Sequence, residues 1–330
     1  MQDWTEFIFD KTVSFETRCK EIFRWQAEHN PVYQRFINAF GVSGAAQVSA
    51  DEIPLLPIRA FKESKLITRK TAHALQFKSS GTGNESRSQH YLPNPELYKK
   101  AIESEFYNHF ERDKYSLLCY APGYSENPDS SLIWMMNELI NNDTSGLSRF
   151  LPLEEPLKSS DIEDIINNKR KIILFGAAFG LIDLLENGSK FLPKNSHIIE
   201  TGGMKTYRRE ITKTELRNTL SKGFGIQKSQ IHSEYGMCEL SSQMYAIGDE
   251  YFTSPYWVRV SVRNPENPFE ICSPGTEGKI GIIDLANLYS CPFILTEDRG
   301  VMDKNGKFQV LGRWNNSDLR GCNFLIDKEI

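Results

Sequence analysis

The 330-residue chain contains no Gly-x-x-x-x-Gly-Lys-Ser/Thr run, so it lacks the P-loop that many proteins use to hold nucleotide phosphates. Its six cysteines, at 19, 119, 238, 272, 291 and 322, form no Cys-x-x-Cys pair, and none lies at zinc-finger spacing from a histidine. That pattern excludes a structural zinc site or a disulfide frame and reads as reduced thiols in a cytoplasmic protein. No long basic block is present and the net charge is −4, which argues against sequence-independent nucleic-acid binding. The N-terminus, Met-Gln-Asp-Trp-Thr-Glu, lacks a basic stretch followed by an apolar core, so no secretory signal is expected. The longest apolar run, 172–182, is too short to span a membrane. Internal repeats and low-complexity tracts are absent as well. What remains is an ordinary globular composition, 39% hydrophobic and 25% charged, with length enough for one large α/β body or two domains.

The patterning divides the chain into three parts. Residues 1–50 read as a helical segment: Phe15, Cys19, Ile22 and Phe23 recur at helical spacing, and Pro31 breaks the run before a second short helix through Phe40. Prolines then stiffen an extended connector over 51–58. Within 51–250, strands predicted at 74–78, 116–120, 171–175, 197–200 and 230–232 alternate with helices near 94–110, 130–141, 159–168, 178–186 and 211–221. That alternation predicts parallel βαβ units and an α/β fold. From 251 to 330 the pattern changes to short β segments at 257–262, 279–284, 293–296 and 308–311, with an Asn305-Gly306 hairpin, which predicts a smaller β subdomain.

Four segments carry chemistry. Between Phe77 and Gln89, the hydroxyls of Ser79, Ser80 and Thr82 alternate with Gly81 and Gly83, flanked by Lys78 and Arg87. Glycines free backbone N–H groups to point into one concavity and hydroxyls add donors, which suits a polyphosphate; the competing reading is a surface turn. Downstream, Tyr235-Gly236 and Glu239 follow a short apolar strand and are expected to open a helix, offering an aromatic platform for a base and an acid for Mg²⁺. The alternative is a strand–helix junction with a buried tyrosine. Asp298, expected at a strand end before a Gly300 turn, can accept both hydroxyls of a ribose or serve only the turn. The last segment, 311–322, carries Arg313 and Arg320.

In this order, the four segments resemble the motifs of the ANL superfamily of adenylate-forming enzymes. Three details, Glu-Thr-Gly-Gly-Met-Lys at 200–205, Tyr-Gly-Met-Cys-Glu-Leu-Ser-Ser-Gln at 235–243 and Arg-Gly-Cys-Asn-Phe-Leu at 320–325, are similar to LuxE-type acyl-protein synthetases. The resemblance implies an ANL-type adenylation domain that activates a fatty or other carboxylic acid with ATP and Mg²⁺. Ser79, Ser80, Gly81, Thr82 and Gly83 would hold phosphates, Gly202, Gly203, Tyr235 and Gly236 the adenine, Asp298 and Arg313 the ribose, and Glu239 the metal. It also implies that Cys322 takes the acyl group as a thioester and passes it to a reductase, an acyl carrier protein or coenzyme A. The sequence departs from the superfamily pattern at Asn84, which follows Gly83, and at Glu297, where glycine is usual. With nine residues after Gly321, no mobile C-terminal lid domain with its catalytic lysine is expected. Lys205 is then the candidate to neutralise charge at the α-phosphate, against the alternative of a solvated loop lysine. The segment 175–185 is a candidate wall for the alkyl chain, against ordinary core. Two further alternatives stand: an acyl-CoA or acyl-carrier ligase using the same adenylate, and a nucleotide-binding protein without turnover.

Overall fold

The computed structural model describes residues 3–44, 48–68, 74–79, 87–123, 127–202 and 211–314. The N-terminal segment folds as α1 (Trp4–Phe9), α2 (Phe15–His29) and α3 (Pro31–Ala39). Ser14 caps α2 by accepting from Thr17 N, and the helix buries Cys19, Ile22, Phe23, Gln26 and Ala27 on one stripe. Asn30 closes α2 and opens α3. Its side-chain oxygen accepts from Val32 N and Tyr33 N, and Pro31 begins the new helix, where its missing N–H costs nothing.

The central sheet has the strand order β5-β4-β6-β7-β8-β9, formed by Arg149–Phe150, Tyr115–Tyr120, Lys171–Ala177, His197–Thr201, Ile231–Tyr235 and Met244–Ala246 respectively. The pairs from β4 through β6 and β7 to β8 are parallel, as the alternating pattern predicts, and two strands it did not predict complete the sheet: β5, parallel, and β9, antiparallel. Helices α5 (Pro95–His109) and α6 (Ser131–Asn141) belong with one apolar layer, α7 (Ser159–Asn167), α8 (Ala178–Glu186) and α9 (Lys213–Phe224) with the other. β7 shows the division: Ile198 faces one layer and Ile199 the other.

A second sheet joins β10 (Val258–Arg263), β11 (Glu277–Asp284), β12 (Phe293–Met302) and β13 (Phe308–Arg313) antiparallel, with β1 (Leu56–Pro57) added parallel to β12. The proline-stiffened connector therefore contributes a short strand to this sheet. The Asn305-Gly306 hairpin forms, with Gly306 at φ +79° and Asp303 Oδ1 accepting from Asn305 N and Lys307 N. Helices α1, α2 and α3 pack on this sheet in one apolar cluster with Phe252, Trp257 and Phe293. The small hairpin β2 (Leu75–Lys78) and β3 (Gln89–Leu92) flanks the 79–88 segment.

Two expectations need correction. No helix follows Tyr235: residues 236–243 form an irregular turn. Asp298 lies inside β12, not at a strand end, and the ladder to β13 shifts register between Arg299 and Gly300.

Candidate active site

The C-terminal ends of the parallel strands β7 and β8 set the position of the site. β7 ends at Thr201, and Gly202 turns away at φ +73°, a backbone conformation that favours glycine. β8 ends at Tyr235, and a side chain at the following Gly236 would require the Glu234 carboxylate to shift. A Cβ there would stand 2.6 Å from Glu234 Oε1.

The 236–243 turn is held from beneath by groups distant in sequence. Asp284, at the end of β11, accepts from Ser241 N at 2.8 Å, Ser242 Oγ at 2.7 Å and Ala286 N at 3.1 Å. Asn287 Nδ2 donates to the carbonyls of Glu239 and Cys291 at 2.8 and 2.9 Å. The ring of His90, on β3, faces the Cys238 carbonyl at 2.8 Å and Asn287 Oδ1 at 2.7 Å. Trp257 Nε1 donates to Ser242 Oγ. These bonds satisfy the turn's backbone without an i→i−4 ladder, which is why the expected helix does not form.

On this frame Tyr235, Asp298 and Arg313 meet. The Tyr235 hydroxyl donates to Asp298 Oδ2 at 2.7 Å, and Arg313 Nε lies 3.3 Å from Asp298 Oδ1, its cross-strand neighbour on β13. Phe252 and Phe308 back the Tyr235 ring, which stays half-buried. Burial pushes the Asp298 carboxyl up, while Tyr235 and Arg313 pull it down. Each carboxylate oxygen has used one of its two acceptor sites, so two remain for a diol. Glu239 is buried; desolvation raises its pKa, and a hydrogen bond from Ser88 and the field of Arg313 oppose that. Ser88 in turn closes the base of the 79–88 loop: Ser79 N donates to Ser88 O and Ser88 N to Ser79 Oγ.

The structure thus gathers Tyr235, Gly236, Glu239, Asp298 and Arg313, with Ser79 and Gly202 at the rims of two loops. Ser80, Gly81, Thr82, Gly83, Gly203, Lys205 and Cys322 lie outside the described residues. Lys78 is engaged elsewhere, paired with Asp129 at 2.7 Å. The 175–185 segment is not an alkyl wall: Phe175, Leu181 and Leu184 are fully buried between the sheet and its helices as ordinary core. Cys19, Cys119 and Cys291 are buried as expected, whereas Cys272 is half-exposed near the β10–β11 connection. Among the described residues no group of three metal-ligating side chains occurs. A site with a single carboxylate suits Mg²⁺, which keeps waters and substrate phosphates as its other ligands. Sequence reading missed Ser88, His90, Asp284 and Asn287. A local signal was present at Asp284, a carboxylate closing the apolar run of β11, while His90 stands opposite Phe77 in a strand of mixed polarity.

No curated protein sequence matches the chain. Among solved structures, 2-hydroxyisobutyryl-CoA ligase with bound 2-HIB-AMP superposes with a TM-score of 0.68 at 13% identity, over 90% of this chain and 66% of that one. ATP-bound MatB from Rhodopseudomonas palustris gives 0.52 at 15% identity, over 74% and 48%. At these identities the likeness establishes the fold, the ANL adenylation-domain type; the chain spans about two thirds or less of the length of these two proteins. No described helix is long and apolar enough to cross a membrane. The acyl-protein synthetase family LuxE matches residues 145–330, more than half of the sequence, and the chain belongs to that family.

Proposed function

We propose that this protein activates a carboxylic acid, fatty acids being the first class to test, as an acyl-adenylate and passes the acyl group to a thiol. The observation that carries the reading is the meeting of Tyr235, Asp298 and Arg313 beside Glu239 at the strand ends. A carboxylate oxygen of the acid attacks the α-phosphorus of ATP; the bond from that phosphorus to the bridging oxygen breaks and pyrophosphate leaves. The Tyr235 ring packs on the adenine, and Asp298 with Arg313 holds the ribose hydroxyls. Hydroxyls and backbone N–H groups from Ser79 to Gly83 orient the β- and γ-phosphates. Glu239 would hold Mg²⁺, which would screen the phosphate charge, and Lys205 is the candidate to neutralise charge at the α-phosphate. The work is positioning and electrostatics. In the second step the Cys322 thiolate attacks the acyl carbon, AMP leaves, and a thioester forms for transfer to a reductase or carrier.

The test is carboxylate-dependent ATP–pyrophosphate exchange across acids from acetate to myristate and benzoate, followed by labelling with the best acid. Hydroxylamine-labile label on the protein, lost in Cys322→Ser, supports self-acylation. Label that forms only when coenzyme A is added supports a ligase in its place. Absence of exchange with every acid refutes activation altogether. Glu239→Gln is expected to lower exchange by about 100-fold or more; unchanged exchange removes Glu239 from the metal site.

A further inference from the structure

Both ring nitrogens of His90 face oxygens that have no hydrogen to give. Nδ1 lies 2.8 Å from the Cys238 carbonyl and Nε2 lies 2.7 Å from Asn287 Oδ1. The orientation of Asn287 is fixed by its other partners. Its Nδ2 donates to two backbone carbonyls, Glu239 and Cys291, and turning the amide over would press an oxygen against both. Ser241 Oγ, 3.3 Å from Asn287 Oδ1, has a hydrogen to donate there. A neutral imidazole carries one N–H and would leave a lone pair against an oxygen. Only the imidazolium supplies both donors.

We propose that His90 is held as an imidazolium and acts as the positioning residue that clamps the Glu239 turn to the base of the 79–88 loop. The clamp is continuous: Ser79 bonds Ser88, Ser88 bonds Glu239, and two residues beyond Ser88 the His90 ring bonds the carbonyl just before Glu239. Ser79, Ser88 and the Glu239 turn are therefore tied together through one short strand. Burial draws the ring's pKa down to about 4 even as its two hydrogen bonds push it up, so the second proton rests on the two fixed acceptor oxygens and stands against that pull. Phe61 of α4, the short helix Ala60–Glu63, and Phe77 of β2 flank the ring and carry no charge. The ionisable groups of the surrounding turn and of the segment after β11 are the Cys238 thiol, Glu239 and Asp284. Asp284, ionised and bonded to Ser241 N, supplies the counter-charge within the same network.

The proton is testable without any assumption about the reaction; its consequence for catalysis rests on the function proposed above. Selective ¹⁵N-histidine labelling reads both ring nitrogens by NMR at pH 7, with contacts to the Phe61 and Phe77 rings assigning His90. Two protonated nitrogens are expected, persisting above the ordinary histidine pKa of about 6.5. One protonated and one bare nitrogen at pH 7 overturns the proposal, whether or not the protein shows exchange activity. In exchange assays, wild-type activity falls on the alkaline side as His90 loses its proton. His90→Gln, which is uncharged and has one donor nitrogen where the imidazolium has two facing opposite ways, needs about tenfold more Mg·ATP for half-maximal exchange and loses that alkaline limb. An alkaline limb that survives unchanged in His90→Gln overturns the clamp. If that variant does not fold, the wild-type spectrum alone decides.

Discussion

Asp298 shows what one side chain does at two levels. It is desolvated, which raises its pKa, and it is engaged by Tyr235 and Arg313, which stabilise its charge. Replacing it with asparagine removes a costly buried charge while keeping the shape, so the fold should tolerate Asp298→Asn within about 1 kcal/mol. Nucleotide binding should not. An amide oxygen accepts a diol less strongly than a carboxylate, and Arg313 loses its partner, so ATP affinity should drop about 10- to 100-fold. Calorimetric titration with ATP, beside a thermal melt, separates the two. A melt shifted as far as the affinity would mark Asp298 as structural only. Tyr235, Glu239, Asp298 and Arg313 were singled out in the sequence by the order of motifs they belong to, and the fold brings them together. His90, Asp284 and Asn287 were not, since their roles exist only through bonds to backbone atoms far away, 148 residues in the case of His90 and Cys238.

At the scale of elements, period and punctuation were sufficient for β4, β6, β7, β8 and their helices, but not for β5, and the strand expected at 74–78 pairs antiparallel with β3 outside the central sheet. β6 begins at Lys171 and α8 at Ala178, where the apolar run and the switch in period place them. The turn after Tyr235 was misread because Gly-Met-Cys-Glu-Leu has no local feature that forbids a helix. Its conformation is imposed from the next sheet, chiefly by Asp284. Asp284→Ala strands three donors, the N–H groups of Ser241 and Ala286 and the Ser242 hydroxyl. Burying donors without partners should cost about 2–4 kcal/mol, read as a lower urea midpoint at an unchanged slope. The Ser241 amide should also exchange with solvent faster than in wild type. If stability falls but that amide keeps its protection, Asp284 supports β11 and not the turn.

Over the whole molecule, the least legible feature is that the first helices close on the last sheet. Arg259 pairs with Glu16 at 2.5 Å, the Tyr256 hydroxyl donates to Phe9 O at 2.7 Å, and Asn30 Nδ2 donates to Ser290 O at 2.8 Å. No periodicity encodes such pairing across more than 200 residues. The N-terminal ends of β7 and β8, opposite the ends that carry the site, hold a different kind of global determinant. Gly248 N donates to His232 Nδ1 at 2.9 Å, so that nitrogen is bare and His232 Nε2–H must donate to His197 Nδ1 at 2.8 Å. Burial first, then His197, Arg217 and His109, push the His232 pKa down to about 3. The unfolded chain takes up this proton near pH 6.5 and the folded one does not. The stability that the neutral ring provides is therefore complete above about pH 6.5 and is lost as the pH falls toward 3, by about 1.4 kcal/mol per pH unit. Urea unfolding of wild type and His232→Gln at pH 7, 6, 5 and 4 isolates this from the carboxylates, which both proteins share. The variant starts less stable at pH 7, and its disadvantage should narrow steadily toward pH 4. Parallel curves would mean that His232 holds its proton in the folded state, and that acid sensitivity arises elsewhere.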